Sequence, residues 1–116
     1  MRSYALDRDR ATKGIIVGQV LVLMRRTGPG RNDWKSDDRF EVWQVRQDMA
    51  FYFQCDDTIE FYDGYGDYPD YYARPTDFNK VRQWVRDNVE SEGNQERYFE
   101  LLDLMEADSE LFVTYG

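Results

Sequence analysis

Residues 76–90, TDFNKVRQWVRDNVE, decide the fold class, because here the spacing of apolar residues changes from two to about 3.6. One side of a helical wheel through this segment is apolar, and it consists of Phe78, Val81, Trp84, Val85 and Val89. Thr76 is a good N-cap residue, and Asp77 in the first turn complements the helix dipole. The segment therefore predicts an amphipathic helix.

A second helix is predicted directly after the first, with Asn94 as its cap and its end near Ala107, because residues 91–94 interrupt the first pattern. Its core side is predicted to consist of Tyr98, Leu101, Leu102 and Met105. The opposite side carries Glu96, Glu100 and Asp103, which lie within about 60° of one another at 100° per residue. The alternation in LFVTY, residues 111–115, predicts a short final strand.

The first half of the chain predicts strands instead of helices. Residues 14–25 are rich in β-branched side chains and apolar on both faces, which is typical of a central strand, and residues 2–6 are predicted to pair with them. TGPGRND, residues 27–33, predicts a turn. Three further runs predict an antiparallel meander: 39–45, 49–55 and 58–62. The prediction is a single α+β domain over residues 1–116, with an antiparallel sheet of about five strands and two C-terminal helices packed on one face.

Charge is distributed unevenly along the chain. Residues 1–50 carry ten Lys/Arg and seven Asp/Glu, a net charge of +3, whereas residues 51–116 carry five and sixteen, a net charge of −11. Phosphate binding needs clustered Lys and Arg, so we expect no direct contact between nucleic acid and the acidic face. A basic protein surface is the expected partner instead. The single cysteine and the lack of an apolar leader or membrane-length run predict a protein of the reducing cytosol.

The residue types give little support for catalysis, and we expect neither an enzyme nor a cofactor or metal. The chain has no histidine, which removes the commonest general base and metal ligand. Residues 28–36 contain a Lys-Ser pair after two glycines, but Trp34 stands where a phosphate-binding loop needs glycine. Cys55 has no histidine to activate it and is interpreted as a small buried apolar residue. A small carboxylate-based enzyme or small-molecule binder is the alternative.

The loop over residues 64–75, GYGDYPDYYARP, is the first predicted contact surface. Its two glycines and two prolines disfavour regular structure, and its tyrosines offer large contact area with few rotatable bonds. The predicted partner-binding residues here are Asp63, Tyr65, Asp67, Tyr68, Asp70, Tyr71 and Tyr72. One or two of the tyrosines are expected to cover the sheet edge or the first helix instead. Asp63, Asp67 and Asp70 leave an irregular cation site as an alternative, although the acids miss the helix-loop-helix calcium spacing.

The acidic side of the second predicted helix is the other predicted contact surface. Glu96, Glu100 and Asp103 form a stripe that Glu106, or Asp108 and Glu110, would continue. Acids four residues apart stand about 6 Å apart along a helix axis, which is the scale of successive phosphates on a nucleic-acid strand. Charge runs of this kind are usually solvated faces that keep a domain soluble, and this is the first interpretation of the stripe. Imitation of a phosphate backbone is the alternative.

Together these features predict an acidic protein-binding inhibitor that blocks a basic nucleic-acid-binding protein or nuclease complex. In composition, though by no motif, the chain is similar to the small acidic inhibitors of phages, of the anti-CRISPR or anti-restriction type. It is equally similar to the immunity proteins that neutralise basic nuclease toxins. Such a resemblance implies a stoichiometric blocker without catalytic activity. The alternative is a structural or assembly subunit in which tyrosines and a sheet edge pair with further copies of the chain.

Overall fold

A computed structural model describes residues 20–40, 45–61 and 70–115, and within them it contains five strands and three helices. The strands are β1 (Leu21–Arg26), β2 (Trp34–Ser36), β3 (Asp57–Phe61), β4 (Asp70–Arg74) and β5 (Leu111–Tyr115). The helices are α1 (Asp48–Tyr52), α2 (Phe78–Asn88) and α3 (Glu92–Ala107). The sheet order is β2-β1-β5-β4-β3, with every neighbouring pair antiparallel. The predicted α+β class is confirmed.

The last strand, β5, lies in the middle of the sheet and organises the core. It pairs with β1 over five positions, among them Leu23 with Val113, and with β4 at Ala73. These three side chains are buried on one face of the sheet, since partners across an antiparallel pair point to the same side. The helices contribute the other half of the core, chiefly Val81, Val85, Tyr98, Leu101, Leu102 and Met105. The predicted core side of the second helix is therefore confirmed.

Both predicted C-terminal helices are present, but their first residues differ from the prediction. Asp77, not Thr76, caps α2, because its side chain accepts a hydrogen bond from the Lys80 backbone N–H. The Thr76 hydroxyl instead donates to the Asp56 carboxylate, at 2.8 Å. Ser91 caps α3 by accepting a bond from the Asn94 backbone N–H, so this helix starts before the predicted cap at Asn94.

Exchanging the two candidate caps of α3 for alanine tests this assignment. We expect Ser91→Ala to lower the free energy of unfolding by about 1 kcal/mol, because the N-terminal amides of α3 lose a side-chain acceptor. Asn94→Ala should change it by less than about 0.5 kcal/mol, since Asn94 contributes only its backbone N–H to the cap. Urea titrations of both variants give the comparison. A larger loss for Asn94→Ala would restore the original prediction.

The strand predicted over residues 49–55 is wrong, because this segment is the short helix α1 and the turn that follows it. Phe51 and Cys55, four residues apart, are both buried, as one side of a helix requires. A strand would have placed Phe53 on the same face as these two, yet Phe53 is 69% exposed. High β-propensity of the aromatic residues hid the helical spacing, and packing against β5 and β1 selects the helix.

The remaining strand and turn predictions are confirmed only in part. Residues 58–61 of the predicted TIEFY strand are confirmed as part of β3, whereas Tyr62 lies outside the described residues. Residues 21–25 of the predicted central strand form most of β1, between β2 and β5. The predicted turn over residues 27–33 is confirmed, with the Thr27 N–H donating to the Asp33 carbonyl. β2 was not predicted as a strand. The described start of the predicted 39–45 strand lies in a turn, because the Arg39 N–H and guanidinium bind the Asp37 carboxylate.

Several predictions fall on parts of the chain that the structure does not describe. These are the strand at residues 2–6, the start of the 14–25 strand and the middle of the 39–45 strand. In the described part of the chain, no helix combines the length and apolar character needed to cross a bilayer. Residues 70–74 of the predicted loop form β4, so the loop prediction is wrong for them: Asp57–Phe61 offers this segment a complete set of antiparallel partners.

Candidate protein-binding surface

The predicted contact residues divide into those the structure describes and those it does not. Asp63, Tyr65, Asp67 and Tyr68 lie outside the described residues, so their predicted role is a proposal only. Asp70 is the first residue of β4. Tyr71 and Tyr72 follow it in the strand, where alternation directs them to opposite faces of the sheet. The two tyrosines therefore have different surroundings.

Tyr72 belongs to an aromatic cluster on the sheet face opposite the helices. Its ring stacks on Trp34, with 3.8 Å between ring centroids and 4° between the planes. Trp34 in turn meets Phe112 edge-to-face at 5.2 Å, and Phe112 is only 3% exposed. The Arg26 and Arg74 guanidinium groups lie 5.2 and 5.6 Å from the centre of the Phe112 ring. Tyr72 thus covers the sheet, as expected for one or two of the tyrosines.

Tyr71 is exposed and belongs to a different surface, near the short helix α1. Only three large apolar side chains are exposed among the described residues, namely Met49, Phe53 and Tyr71. Met49 and Phe53 are four residues apart, and the Phe53 N–H donates to the Met49 carbonyl at 3.1 Å. We call the surface formed by Met49, Tyr52, Phe53, Tyr71 and Tyr115 the aromatic patch.

Tyr52 connects the helical and the sheet side of the aromatic patch. Its ring centroid lies 6.0 Å from that of Phe53 and 6.1 Å from that of Tyr115. Burial raises the pKa of Tyr52 to about 12, and the nearby Cys55 and Tyr71 groups contribute to the shift. Its phenol therefore stays neutral over the physiological pH range. The side chains of the aromatic patch therefore carry no charge in this pH range.

One acidic residue of β3, Glu60, lies beside the aromatic patch. Glu60 is exposed and pairs in register with Tyr71, so the carboxylate and the ring stand side by side on one face of the sheet. Residues 47–73 contain no Lys or Arg, and three of their acids, Asp56, Asp57 and Glu60, are exposed in the described part of the chain. Asp48 does not add to this surface charge, because it is buried against Arg97. An exposed apolar surface beside acidic side chains is a common arrangement for protein recognition.

The predicted acidic stripe on α3 is exposed, but part of it already has counter-charges. Glu96, Glu100 and Asp103 are all exposed, as predicted. Arg82 of α2 reaches across to bind Asp103 at 2.8 Å and Glu106 at 2.6 Å. Along the described chain, no ion pair involves Glu96 or Glu100.

The acids that would continue the stripe also have basic partners. Asp108 binds Arg25 at 2.8 Å, and Glu110 lies 3.4 Å from Arg26. Hydrogen bonding to the Glu110 backbone and to Arg25 lowers the pKa of Asp108, which keeps it ionised. The unneutralised part of the stripe is therefore short, and it consists of Glu96 and Glu100.

Sequence reasoning missed a buried polar cluster that fixes α1 against α3. The Asp48 carboxylate accepts hydrogen bonds from Arg97 at 2.9 Å and from the Tyr98 hydroxyl at 2.5 Å, and its second oxygen accepts from the Val45 N–H. The Asp48 and Arg97 side chains are 2% and 4% exposed. The Arg97 guanidinium also stacks over Phe40, 4.4 Å from the ring centre. A signal existed, since Arg97 stands four residues before Leu101 on the predicted core side.

Cys55 is buried at the end of the turn after α1, as its interpretation as an apolar residue requires. Burial raises the pKa of its thiol to about 12, with the negative charge of Asp56 adding to the effect. Since the thiolate is the nucleophile, we expect Ellman's reagent at pH 8 to react at least about a hundredfold more slowly with the native protein than with the urea-unfolded chain. Equal rates would reinstate Cys55 as a candidate nucleophile.

No metal-binding cluster accompanies these surfaces within the described ranges. There, no three His, Cys, Asp or Glu side chains are placed to share an ion. Asp63 and Asp67 of the alternative cation site lie outside those ranges.

The chain was compared with models of protein families, with curated proteins and with solved structures. None of these comparisons found a match.

Proposed function

We propose that this chain is an acidic protein-binding inhibitor that blocks a basic nucleic-acid-binding protein or nuclease complex. The observation that carries the proposal is the segment over residues 47–73, which contains no Lys or Arg and exposes Met49, Phe53 and Tyr71 together with the acids Asp56, Asp57 and Glu60. The alternative is that the blocked partner is a basic nuclease toxin and that the chain is an immunity protein. We place its action in the cytosol, where nucleic-acid-binding proteins are found.

Electrostatics and apolar contact have separate roles in this proposal. The net charge of −11 over residues 51–116 steers a basic partner toward the protein and speeds association. Burial of aromatic side chains then slows dissociation, which sets most of the affinity. Occupying the groove that normally holds phosphates is sufficient for inhibition, so no catalytic step is needed.

The acidic stripe supports a further part of the proposal, which is imitation of a phosphate backbone. Glu96 and Glu100 are exposed one helical turn apart and present two adjacent charges. Asp103 contributes less, because Arg82 already neutralises much of its charge. Mimicry by α3 is therefore proposed as an addition to the contact made by the acidic segment 47–73.

Capture followed by competition tests the proposed function. The protein is immobilised, a lysate of the organism in which it acts is applied at low salt, and bound proteins are eluted with a salt gradient. The expected product is a basic nucleic-acid-binding protein that elutes at elevated salt. The purified partner must then lose its binding to labelled DNA or RNA when one equivalent of this protein is added. A partner that keeps full nucleic-acid binding would contradict the proposal.

Charge reversal separates specific contacts from net charge. We expect Asp67→Lys with Asp70→Lys, and separately Glu96→Lys with Glu100→Lys, to weaken binding of the captured partner at least about tenfold. The matched control is Asp87→Lys with Glu90→Lys, which makes the same charge change at exposed positions around the C-terminus of α2. It should weaken binding by less than about threefold, through the long-range field alone. Calorimetry at two salt concentrations measures all three variants, and equal losses would show that only net charge matters.

A further inference from the structure

We propose that Phe53 is the anchor residue of the partner contact, and that its binding site is an apolar surface of the partner bordered by Lys or Arg side chains. This inference rests on the proposed function and assigns its centre to the aromatic patch. Phe53 is the most exposed large apolar side chain among the described residues, at 69%. A phenylalanine exposed to this extent gains the most from contact with an apolar partner surface.

The backbone holds Phe53 in a fixed position. It ends α1 in a helical conformation, and the amides of the next two residues donate to the Phe51 and Tyr52 carbonyls at 2.9 and 3.0 Å. The Gln54 side chain also donates to the Ala50 carbonyl at 3.1 Å. Because this turn is already ordered, binding through Phe53 loses less conformational entropy than binding through a loop.

The buried side of α1 packs in the core, and this packing also keeps Phe53 in a fixed position. Phe51 is fully buried and stacks on Tyr98, with 4.5 Å between ring centroids, and it meets Trp84 edge-to-face at 6.4 Å. The Asp48 carboxylate locks the first turn of the helix to Arg97. Helix α1 is thus held at both ends while Met49 and Phe53 face solvent. A contact side chain carried on such an element meets the conditions for a binding hot spot.

Charge determines which partner fits the aromatic patch. Glu60 is exposed beside Tyr71 and residues 47–73 contain no Lys or Arg, so a second copy of the same surface would place like charges opposite one another. A basic partner gains from the same arrangement. The neighbouring Glu60 and Tyr71 offer one guanidinium or ammonium group both a carboxylate and the face of a ring. The occupant is therefore an apolar surface with basic residues at its border.

Two lysine-leucine peptides of identical composition provide the probe. One is a fourteen-residue amphipathic helix with a leucine face, and the other has the same residues scrambled so that no apolar face forms. We expect the amphipathic peptide to bind at least about tenfold more tightly, as measured by fluorescence polarisation. Phe53→Ala should abolish that tenfold difference and leave binding of the scrambled peptide unchanged. The ¹³C-methyl resonance of Met49 should shift only with the amphipathic peptide.

The control variant is Phe99→Ala, which removes a half-buried aromatic ring from α3, remote in sequence from the patch. It should preserve the tenfold preference, and thermal melts verify that both variants are folded. If both peptides bind in a salt-sensitive manner and Phe53→Ala does not change their affinity, Phe53 is not the anchor residue, but the proposed function is not contradicted. Binding that depends on Phe53 but not on salt would contradict the proposed function instead. Absence of binding, or a dimer in sedimentation that Phe53→Ala dissociates, would overturn the inference.

Discussion

Asp48→Ala is expected to lower the free energy of unfolding by about 3–5 kcal/mol, the largest effect of any single polar substitution in this protein. The reason is the burial of its partner. The Arg97 side chain is 4% exposed, and removing the carboxylate 2.9 Å away leaves its charge in a poorly solvated interior without this counter-charge. The Tyr98 hydroxyl and the Val45 N–H lose an acceptor at the same time.

Urea denaturation followed by circular dichroism measures this loss. Asp48→Asn should cost less than Asp48→Ala, because its amide oxygen can still accept from Arg97 and Tyr98. Adding Arg97→Met to Asp48→Ala should cost less than the sum of the two single changes, since the double variant leaves no buried charge behind. Asp38→Ala, at an exposed position, is the matched control and should stay within about 0.5 kcal/mol of the parent. A loss below about 1 kcal/mol for Asp48→Ala would show that the cluster does not hold α1 in place.

Arg74→Ala is expected to lower the free energy of unfolding by about 2–4 kcal/mol, the second large effect. Arg74 donates three hydrogen bonds to backbone carbonyls where α3 ends and β5 begins. Its acceptors are the carbonyls of Met105 at 2.8 Å, Leu111 at 2.9 Å and Asp108 at 3.1 Å. The Met105 carbonyl belongs to the last turn of α3, where carbonyls lack a partner four residues on, and the other two acceptors belong to the C-cap residue and to the first residue of β5. The guanidinium also packs between the Phe78 and Phe112 rings.

Arg74→Lys tests whether charge or fork geometry matters at this position. The three N–H donors of a lysine ammonium share one nitrogen, whereas Arg74 donates from two nitrogens of a planar guanidinium. We therefore expect Arg74→Lys to recover less than half of the free energy of unfolding that Arg74→Ala loses. Amide hydrogen exchange should accelerate in β5 and at the end of α3 in both variants. Arg86→Ala removes an exposed arginine beside Phe99 and is the control, with an expected cost below about 1 kcal/mol. Full recovery of stability in Arg74→Lys would show that charge, and not the planar geometry of the guanidinium, is what matters at this position.

These two interactions also connect stability with the proposed binding surface. Asp48 fixes the helix that exposes Phe53, and Arg74 fixes the end of the strand that carries Tyr71. Variants at either position are therefore expected to weaken partner binding as well as folding. Phe53→Ala separates loss of a direct contact from loss of stability, because it should weaken partner binding while leaving the melting temperature nearly unchanged.

The elements with helical period were predictable, and the short aromatic element was not. In α3 the apolar residues repeat over about two turns, so the pattern alone identifies the buried side, and Tyr98, Leu101, Leu102 and Met105 are all buried. α1 has five residues, which is too short for a period to be distinguished from alternation. Its aromatic residues favour a strand by propensity, and only contacts with β5 and β1 reveal the helix.

The position of the aromatic patch could not be predicted from the sequence. Composition alone indicated an acidic, aromatic surface, and Tyr71 is part of the exposed aromatic patch. The sequence assigned Tyr72 to the same surface, although strand alternation turns it onto Trp34. Phe53 was not among the predicted contact residues, and its segment was interpreted as a strand. Two adjacent residues can be assigned to opposite faces of a sheet only when their segment is recognised as a strand.

The sequence by itself determined the fold class, the two long helices, the buried side of α3 and the acidic character of the second half. These properties follow from local periodicity and from summed charge, neither of which requires knowledge of distant neighbours. Tertiary structure alone decided that β5 lies at the centre of the sheet, that Arg97 is buried against Asp48 and that Arg82 neutralises part of the acidic stripe. Each of these depends on residues far apart in the chain, which only packing of the sheet against the helices brings together.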